Sequence, residues 1–292
     1  MVYYADETLS TFEVHLAYIS KENESVKTII ITGSTRGIGY GLADNFLRLG
    51  HQVVISGRSS DSVDLIVEKL GNLHNQERVG GFPCDMRDCD RVESLWNYGR
   101  ERFGEIDIWI NNAGIGQSQT DFWDLDINLI QDLVDTNITG AMFGAKVALA
   151  GFREQGRGAF YNMEGLGSDG RQVEGLTLYG TSKRALNYLT DSLASEVKGT
   201  DVVVGALSPG MVLTDFILSR YKGKDPSEWE NARKIFNILA DKVETVTPYL
   251  AEKILQNKKN GARINWLTTP KVLWRFMSAG ISKRDLFQDL EI

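Results

Sequence analysis

Cysteine and histidine are scarce in this chain of 292 residues. It has two cysteines and three histidines. Cys84 and Cys89 cannot make a disulfide framework or a four-cysteine metal site. His15, His51 and His74 stand near no Cys, Asp or Glu cluster of ligand spacing, so no metal is expected. Basic excess is also missing: 32 Lys and Arg face 39 Asp and Glu, a net charge of −7, which speaks against a nucleic-acid partner. No run approaches the roughly 18 apolar residues of a membrane-spanning helix. The first residues lack the basic start and apolar core of a secretory signal. They carry Asp6, Glu7, Glu13, Glu22 and Glu24, unlike an Arg-rich transit peptide. A reducing, cytoplasmic setting is the expectation from this cysteine usage. Internal repeats and low-complexity linkers are absent as well.

What is present is an alternation of short β-branched runs with helical patterns. Hydrophobic residues make up 42% and charged residues 24%, ordinary for a globular chain of a length that buries a sizeable core. Strands are expected at 27–32, 51–56, 78–84, 106–110, 158–163, 201–207 and 262–267. Helices are expected after Gly37 and at 62–70, 89–103, 127–155 and 178–198. This predicts an α/β fold, a Rossmann-type doubly wound parallel sheet of about seven strands in the order 3-2-1-4-5-6-7. One domain is expected over 27–292, after a peripheral extension at 1–26. Residues 215–244 interrupt the alternation with a helical insertion, read either as a lid over a substrate or as a hairpin packed on the core. The apolar stretch Val272-Leu273-Trp274-Arg275-Phe276-Met277 fits a subunit interface, a pocket wall or a membrane-touching patch.

The first strand runs into Gly33-Ser34-Thr35-Arg36-Gly37-Ile38-Gly39 and then into a helix with Ile38, Leu42, Phe46 and Leu49 on one face. Glycines let the chain bend sharply and let a diphosphate approach the backbone without meeting a Cβ. The following helix N-terminus offers free N–H groups to the phosphates. At the end of the second strand, NAD-binding chains place an acid for the ribose 2′-hydroxyl. Here the run is Ser56-Gly57-Arg58-Ser59-Ser60, with no acid until Asp61. Arg58 and Arg36 can grip a 2′-phosphate instead, so NADP(H) is expected over NAD(H).

Tyr179 and Lys183 stand four apart on an expected helix and so share a face. An ammonium beside a phenol favours the phenolate and lowers the tyrosine pKa toward the range of general acid–base work. By itself this spacing is common on helices. Its weight comes from the dinucleotide turn upstream.

Together these residues resemble the short-chain dehydrogenase/reductase family over nearly the whole chain from Lys27. Thr32-Gly33-x-x-x-Gly37-Ile38-Gly39 is similar to its cofactor turn, and Cys84-Asp85-Met86 to the acid that meets adenine. Asn111-Asn112-Ala113-Gly114 is similar to its Asn-Asn-Ala-Gly signature. Pro209-Gly210-x-x-x-Thr214, with Val212 inside it, is similar to the segment beside the nicotinamide carboxamide. The resemblance implies reduction of an aldehyde or ketone to an alcohol with NADPH as hydride donor and Tyr179 as proton donor. It implies that Lys183 lowers the Tyr179 pKa and binds the nicotinamide ribose, and that Asn137 holds a water in the proton relay. It also implies a homodimer or homotetramer acting on a small molecule. One departure stands out. The family's usual serine, thirteen residues before the tyrosine, is Leu166 here, and the nearest serine is Ser168. Ser168 is the expected donor to the substrate oxygen, with a backbone N–H as substitute. The loop Asn162-Met163-Glu164-Gly165-Leu166-Gly167-Ser168-Asp169-Gly170-Arg171 resembles the chlorophyll b reductases of plants, which reduce a ring formyl group. A non-catalytic NADP(H)-binding sensor is the alternative; loss of Tyr179, Lys183 or Asn137 would mark it, and all three are present.

Overall fold

A computed structural model describes residues 25–214, 226–279 and 284–288. Most of the expected extension at 1–26 and the first part of the 215–244 insertion lie outside the described residues. The strands are β1 (Thr28–Ile31), β2 (Gln52–Gly57), β3 (Val79–Pro83), β4 (Ile108–Asn111), β5 (Gly158–Met163), β6 (Val202–Ser208), β7 (Met211–Leu213), β8 (Ala240–Lys242) and β9 (Ala262–Asn265). Seven of them form one parallel sheet in the order β3-β2-β1-β4-β5-β6-β9. This is the expected topology, with β9 in the seventh place. The short strands β7 and β8 pair with each other in a separate small sheet. At three residues each they carry too little alternation to be read from sequence.

The three isoleucines of β1 show how the layers form. Ile29 and Ile31 point to one face and Ile30 to the other, as the two-residue strand period requires. On the first face they meet Leu42 and Phe46 of α1 (Gly37–Arg48) and Leu250 and Ile254 of α8 (Val243–Gln256). On the other, Ile30 joins Leu95 and Trp96 of α3 (Cys89–Phe103) and Phe152 of α5 (Gly140–Gln155). Gly151 makes room there, since a Cβ on it would lie 2.0 Å from the Trp96 ring. Inside the sheet, Asn111 Nδ2 donates to Asn162 Oδ1 (3.1 Å), and Asn162 Nδ2 donates to Thr190 Oγ1 (2.9 Å). That chain fastens β4 and β5 to α6 (Thr177–Glu196). The remaining helices are α2 (Ser60–Leu73), α4 (Ile127–Val134), α7 (Pro226–Leu239) and α9 (Thr269–Ser278).

The expected helix at 127–155 is broken in the middle. After α4 comes a π-helical turn, Asp135–Thr139, and only then α5. Such turns insert one residue into the hydrogen-bond ladder and re-aim a side chain, here Asn137.

Within the insertion, α7 is clamped from outside. Phe287 meets Trp229 edge-on, with ring centroids 5.0 Å apart, and also lies against Phe236. Arg233 pairs with Asp285 at 2.8 Å. Next to this, the buried Asp241 of β8 accepts from Arg275 of α9 and from Arg284, each at 2.7 Å, and from Trp266 Nε1 at 2.6 Å. One carboxylate thus ties together the insertion, the end of the sheet and the last described segment. Replacing it leaves the Arg275 guanidinium, 13% exposed, without its counter-charge. Asp241→Ala is expected to lose about 3 kcal/mol of stability in urea unfolding.

Candidate active site

The glycine turn is pressed against the segment after β4. Thr32 Oγ1 accepts from the N–H groups of Asn112 and Ala113, each at 3.0 Å, and Asn112 Nδ2 donates to the carbonyls of Thr32 (2.9 Å) and Gly33 (3.0 Å). Gly33 has φ +62°, and a Cβ on it would lie 2.8 Å from Ala113 Cα. No larger residue fits either the backbone or the space. Two expected turn contacts do not reach the cavity wall. Ser34 is fully buried; its hydroxyl donates to Ile31 O (2.7 Å) and accepts from Ser56 N (2.9 Å), so it braces the turn. Gly39 is needed for packing, because a Cβ there would stand 2.5 Å from Asn112 Nδ2.

A cavity of about 1690 Å³ opens at the C-terminal ends of the strands. Thr35, Arg36, Gly37 and Ile38 line it from the turn, and Arg58 and Ser59 from the end of β2. Both arginines are exposed at its rim. Ser59 also caps α2, its hydroxyl accepting from Ser62 N at 3.3 Å. Asp85 and Met86 follow on the wall, then Ala113 and Gly114. The Arg87 guanidinium hydrogen-bonded to Asp85 holds that carboxyl below the usual carboxylate value. Pro209, Gly210, Val212 and Thr214 close the other side, and Thr214 Cγ2 comes within 3.5 Å of where a Gly37 Cβ would be.

Tyr179 and Lys183 sit on the inner face of α6, with the ammonium 5.8 Å from the phenol ring centroid. Both line the cavity. Lys183 is buried and donates to Met163 O at 3.0 Å, at the end of β5. Burial pushes its pKa down from 10.5 to about 8, against the opposing pull of the Glu164 carboxylate. Asn137, 1% exposed, lies behind Gly114 rather than on the wall. Its side chain accepts from Ile115 N and donates to Ile115 O, each at 2.8 Å, and also donates to Ser182 Oγ at 3.2 Å. Both Nδ2 hydrogens of Asn137 are thus engaged within the protein.

The loop after β5 brings Ser168 to the same cavity. A turn closes from Ser168 N to Gly165 O (3.1 Å), and Arg184 Nη1 holds Ser168 O at 2.9 Å. Gly167, at φ +96°, allows the loop to lie on Gly180 of α6, since a Cβ would meet Gly180 Cα at 2.6 Å. A Cβ at Gly165 would stand 2.7 Å from Tyr179 Oη, so the phenol occupies the space of a side chain at 165. Leu166, at the family's serine position, is 40% exposed on the wall.

Four residues of the site carried no sequence signal of their own. Gln117 accepts from Tyr179 N (2.8 Å) and donates to Gly175 O (2.7 Å), fixing the start of α6. Glu164, Asn187 and Arg263 meet beside Lys183, with Glu164 accepting from both others. Only spatial proximity reveals them, because they come from three distant stretches.

Residues 27–225 match the family model described as short chain dehydrogenase. A chloroplastic chlorophyll(ide) b reductase of Oryza sativa subsp. japonica is 37% identical over 231 residues, 77% of this chain and 66% of that protein. A protein of Arabidopsis thaliana described as a probable chlorophyll(ide) b reductase is 32% identical over 279 residues, 90% of this chain and 55% of that one. A 3alpha-hydroxysteroid dehydrogenase of Mediterraneibacter gnavus is 35% identical over 191 residues, 65% and 76%. The chain thus spans about half to two-thirds of the length of those two reductases. In structure, an actinorhodin polyketide ketoreductase solved with NADPH gives a TM-score of 0.74 at 23% identity, covering 82% of this chain and 95% of that one, a likeness of fold.

The burial of Lys183 has a measurable consequence. Below pH 8 the amine is charged in the folded and unfolded chain alike, and the burial penalty acts in full. Between pH 8 and 10.5 the unfolded chain holds a proton that the folded one lacks, so stability rises with pH through this window. The difference corresponds to about 3 kcal/mol, reduced by the lost charge-assisted bond to Met163, worth about 2 kcal/mol. Lys183→Met is expected to be more stable than the parent by about 1 kcal/mol in urea at pH 7, with the gap narrowing toward pH 10.

Proposed function

Because the chain belongs to the short-chain dehydrogenase family, we propose that it is an NADPH-dependent reductase that converts an aldehyde or ketone to an alcohol, with Tyr179 as proton donor. The observation that carries this reading is the convergence of the Tyr179–Lys183 pair, the glycine turn and two arginines on one cavity. The residues fit the cofactor. Gly33 and Gly37, both at positive φ, bend the turn so that its backbone faces the cavity, and the N-terminus of α1 has no acid in its first turn to repel phosphate. Arg36 and Arg58 would hold the 2′-phosphate, and Lys183 the nicotinamide ribose hydroxyls. When bound, NADPH supplies the hydride.

The chain's own part is to move a proton and orient a carbonyl. Tyr179 donates its phenolic proton to the carbonyl oxygen, and the neighbouring ammonium steadies the phenolate that remains. Ser168 donates a hydrogen bond to the same oxygen as charge develops on it. Main-chain Asn137, through a water, returns a proton to the pair.

The substrate side favours a bulky apolar carbonyl. The cavity exceeds the roughly 300–1,000 Å³ of an ordinary small-molecule pocket, as one shared by a dinucleotide and a large second ligand must. Beyond the dyad its wall includes Leu166, Leu213, Phe236, Leu239 and Val272, with Gln119, Ser168, Asp169 and Arg171 as polar groups among them. A formyl group on a tetrapyrrole is the substrate we favour, in keeping with the names of the relatives.

The test is a spectrophotometric assay with NADPH and three carbonyls: chlorophyllide b, a steroid ketone and a short aldehyde. Turnover on chlorophyllide b supports the formyl reading, and turnover only on the others replaces it within the reductase class. Binding of NADPH with no turnover on any would point to the sensor. Tyr179→Phe is expected to lose about 10²–10⁴-fold in kcat while keeping NADPH affinity. Arg58→Ala is expected to weaken NADPH about tenfold or more and leave NADH nearly unchanged, measured by fluorescence titration.

A further inference from the structure

The stripe Tyr179, Lys183, Asn187 and Asp191 runs down one face of α6 at four-residue spacing. Its first half faces the cavity, and its second half meets a charged cluster. Glu164 is the centre of that cluster. It directly follows Met163, whose carbonyl accepts the Lys183 ammonium, and its own N–H donates to Leu207 O at 2.8 Å. Its side chain is 5% exposed. Asn187, one turn below Lys183, donates to its Oε1 at 3.1 Å. The Arg263 guanidinium, from β9, pairs with the same oxygen, and its other arm reaches Asp191 at 2.6 Å. Arg184 completes the set by donating to Asn187 Oδ1 at 3.2 Å. Among the described residues, the charged groups of this cluster are Arg184 and Asp191 on α6, Glu164 at the end of β5 and Arg263 on β9, and Asp169 and Arg171, paired at 3.4 Å in the loop after β5, line the same cavity as the pair.

A carboxylate this deeply buried is stable only among cations. One is Arg263; Arg184 follows through Asn187, and the Lys183 ammonium is held on the carbonyl of the preceding residue, Met163. We propose that Glu164 is a positioning residue for the Tyr179–Lys183 pair, the buried counter-charge that keeps its proton in place, and that Arg263 sets how much of this charge the pair feels. The proposal rests on the reductase reading, since it assigns the pair a proton to deliver.

The sign of the effect does not depend on which member of the pair loses its proton first. Removing a nearby negative charge makes the first proton loss easier from either group, and removing a nearby positive charge makes it harder. Glu164 and Arg263 touch each other, so a packing defect from either substitution would act alike. An electrostatic role makes them act in opposite directions.

The experiment uses the full chain, NADPH and whichever carbonyl is turned over, with kcat/KM followed from about pH 6 to about pH 10. Glu164→Gln is expected to move the alkaline limb down by about one pH unit, and Arg263→Gln to move it up. Glu164→Asp should restore part of the parent profile, and Asp191→Asn, whose side chain is 62% exposed, should move it little. NADPH affinity is measured by fluorescence over the same range, because the Lys183 ammonium is assigned to the ribose and this readout needs no turnover. Absence of turnover on every carbonyl would defeat the reductase reading, while the affinity profile would still report on the pair. Should Glu164→Gln fail to fold, the upward shift in Arg263→Gln decides alone. Limbs that stay in place, or that move the same way in both variants, overturn the proposal.

Discussion

The Lys183 ammonium, donating to the Met163 carbonyl at the tip of β5, is the contact around which the site is arranged. A charge at that depth needs oxygen atoms supplied by rigid structure, because loops would let it escape to water. β5 ends at Met163, opposite Leu207 of β6, and Glu164 continues the pairing by one more bond to Leu207 O. This extra rung turns Glu164 inward beside the lysine. The sheet edge, the carbonyl and the counter-charge are therefore one local feature, and α6 is laid across it with its i, i+4 face down.

The rest of the site depends on backbone brought close to its neighbours at glycines. Gly33 against Ala113, Gly167 against Gly180 and Gly165 against the Tyr179 hydroxyl are approaches that any Cβ would prevent. Each brings a different segment to the switch point of the sheet, where strands diverge from β1 and leave a crevice. Side-chain amides then lock these segments without covering the cavity. Asn112 holds the glycine turn, Asn137 holds Ile115, and Gln117 holds the first turn of α6. Neutral amides suit this task, as they can donate and accept at once and bring no charge into competition with the dyad.

The sheet order and the dinucleotide turn were legible in the sequence because each rests on local pattern: β-branched runs, glycine spacing and a four-residue helical interval. Ser34 and Gly39 stand off the cavity wall although they belong to the same motif. A run of seven residues reads as one motif, yet two of its members face the interior, and sequence order does not separate them. The π-turn was invisible because 127–155 keeps a helical pattern on both sides of a single inserted residue. Glu164, Asn187 and Arg263 are far apart in the chain, and nothing in the sequence marks an arginine that reaches a buried carboxylate from one that does not. The helix of the insertion was readable, but its clamp was not, since Phe287 and Asp285 reach it from the other end of the domain.

The displaced serine follows from the same geometry. In the loop after β5, residue 165 lies directly over the phenol, and a side chain there competes with Tyr179 for space. A glycine at that point lets the main chain come down onto the dyad, and the next residues must then arch away before returning. Two successive turns, 165–168 and 167–170, make that arch, with Gly167 and Gly170 supplying the positive φ values. The arch leaves Leu166 outward on the cavity wall and carries Ser168 back, buried and held through its carbonyl by Arg184. Counting residues back from the tyrosine assumes a loop of fixed path. Once the path includes an arch, a hydroxyl eleven residues away can stand in a cavity where the count of thirteen finds only an apolar side chain. The same path puts Leu166 on the cavity wall, so the course of the loop decides together where its hydroxyl and its apolar side chain stand.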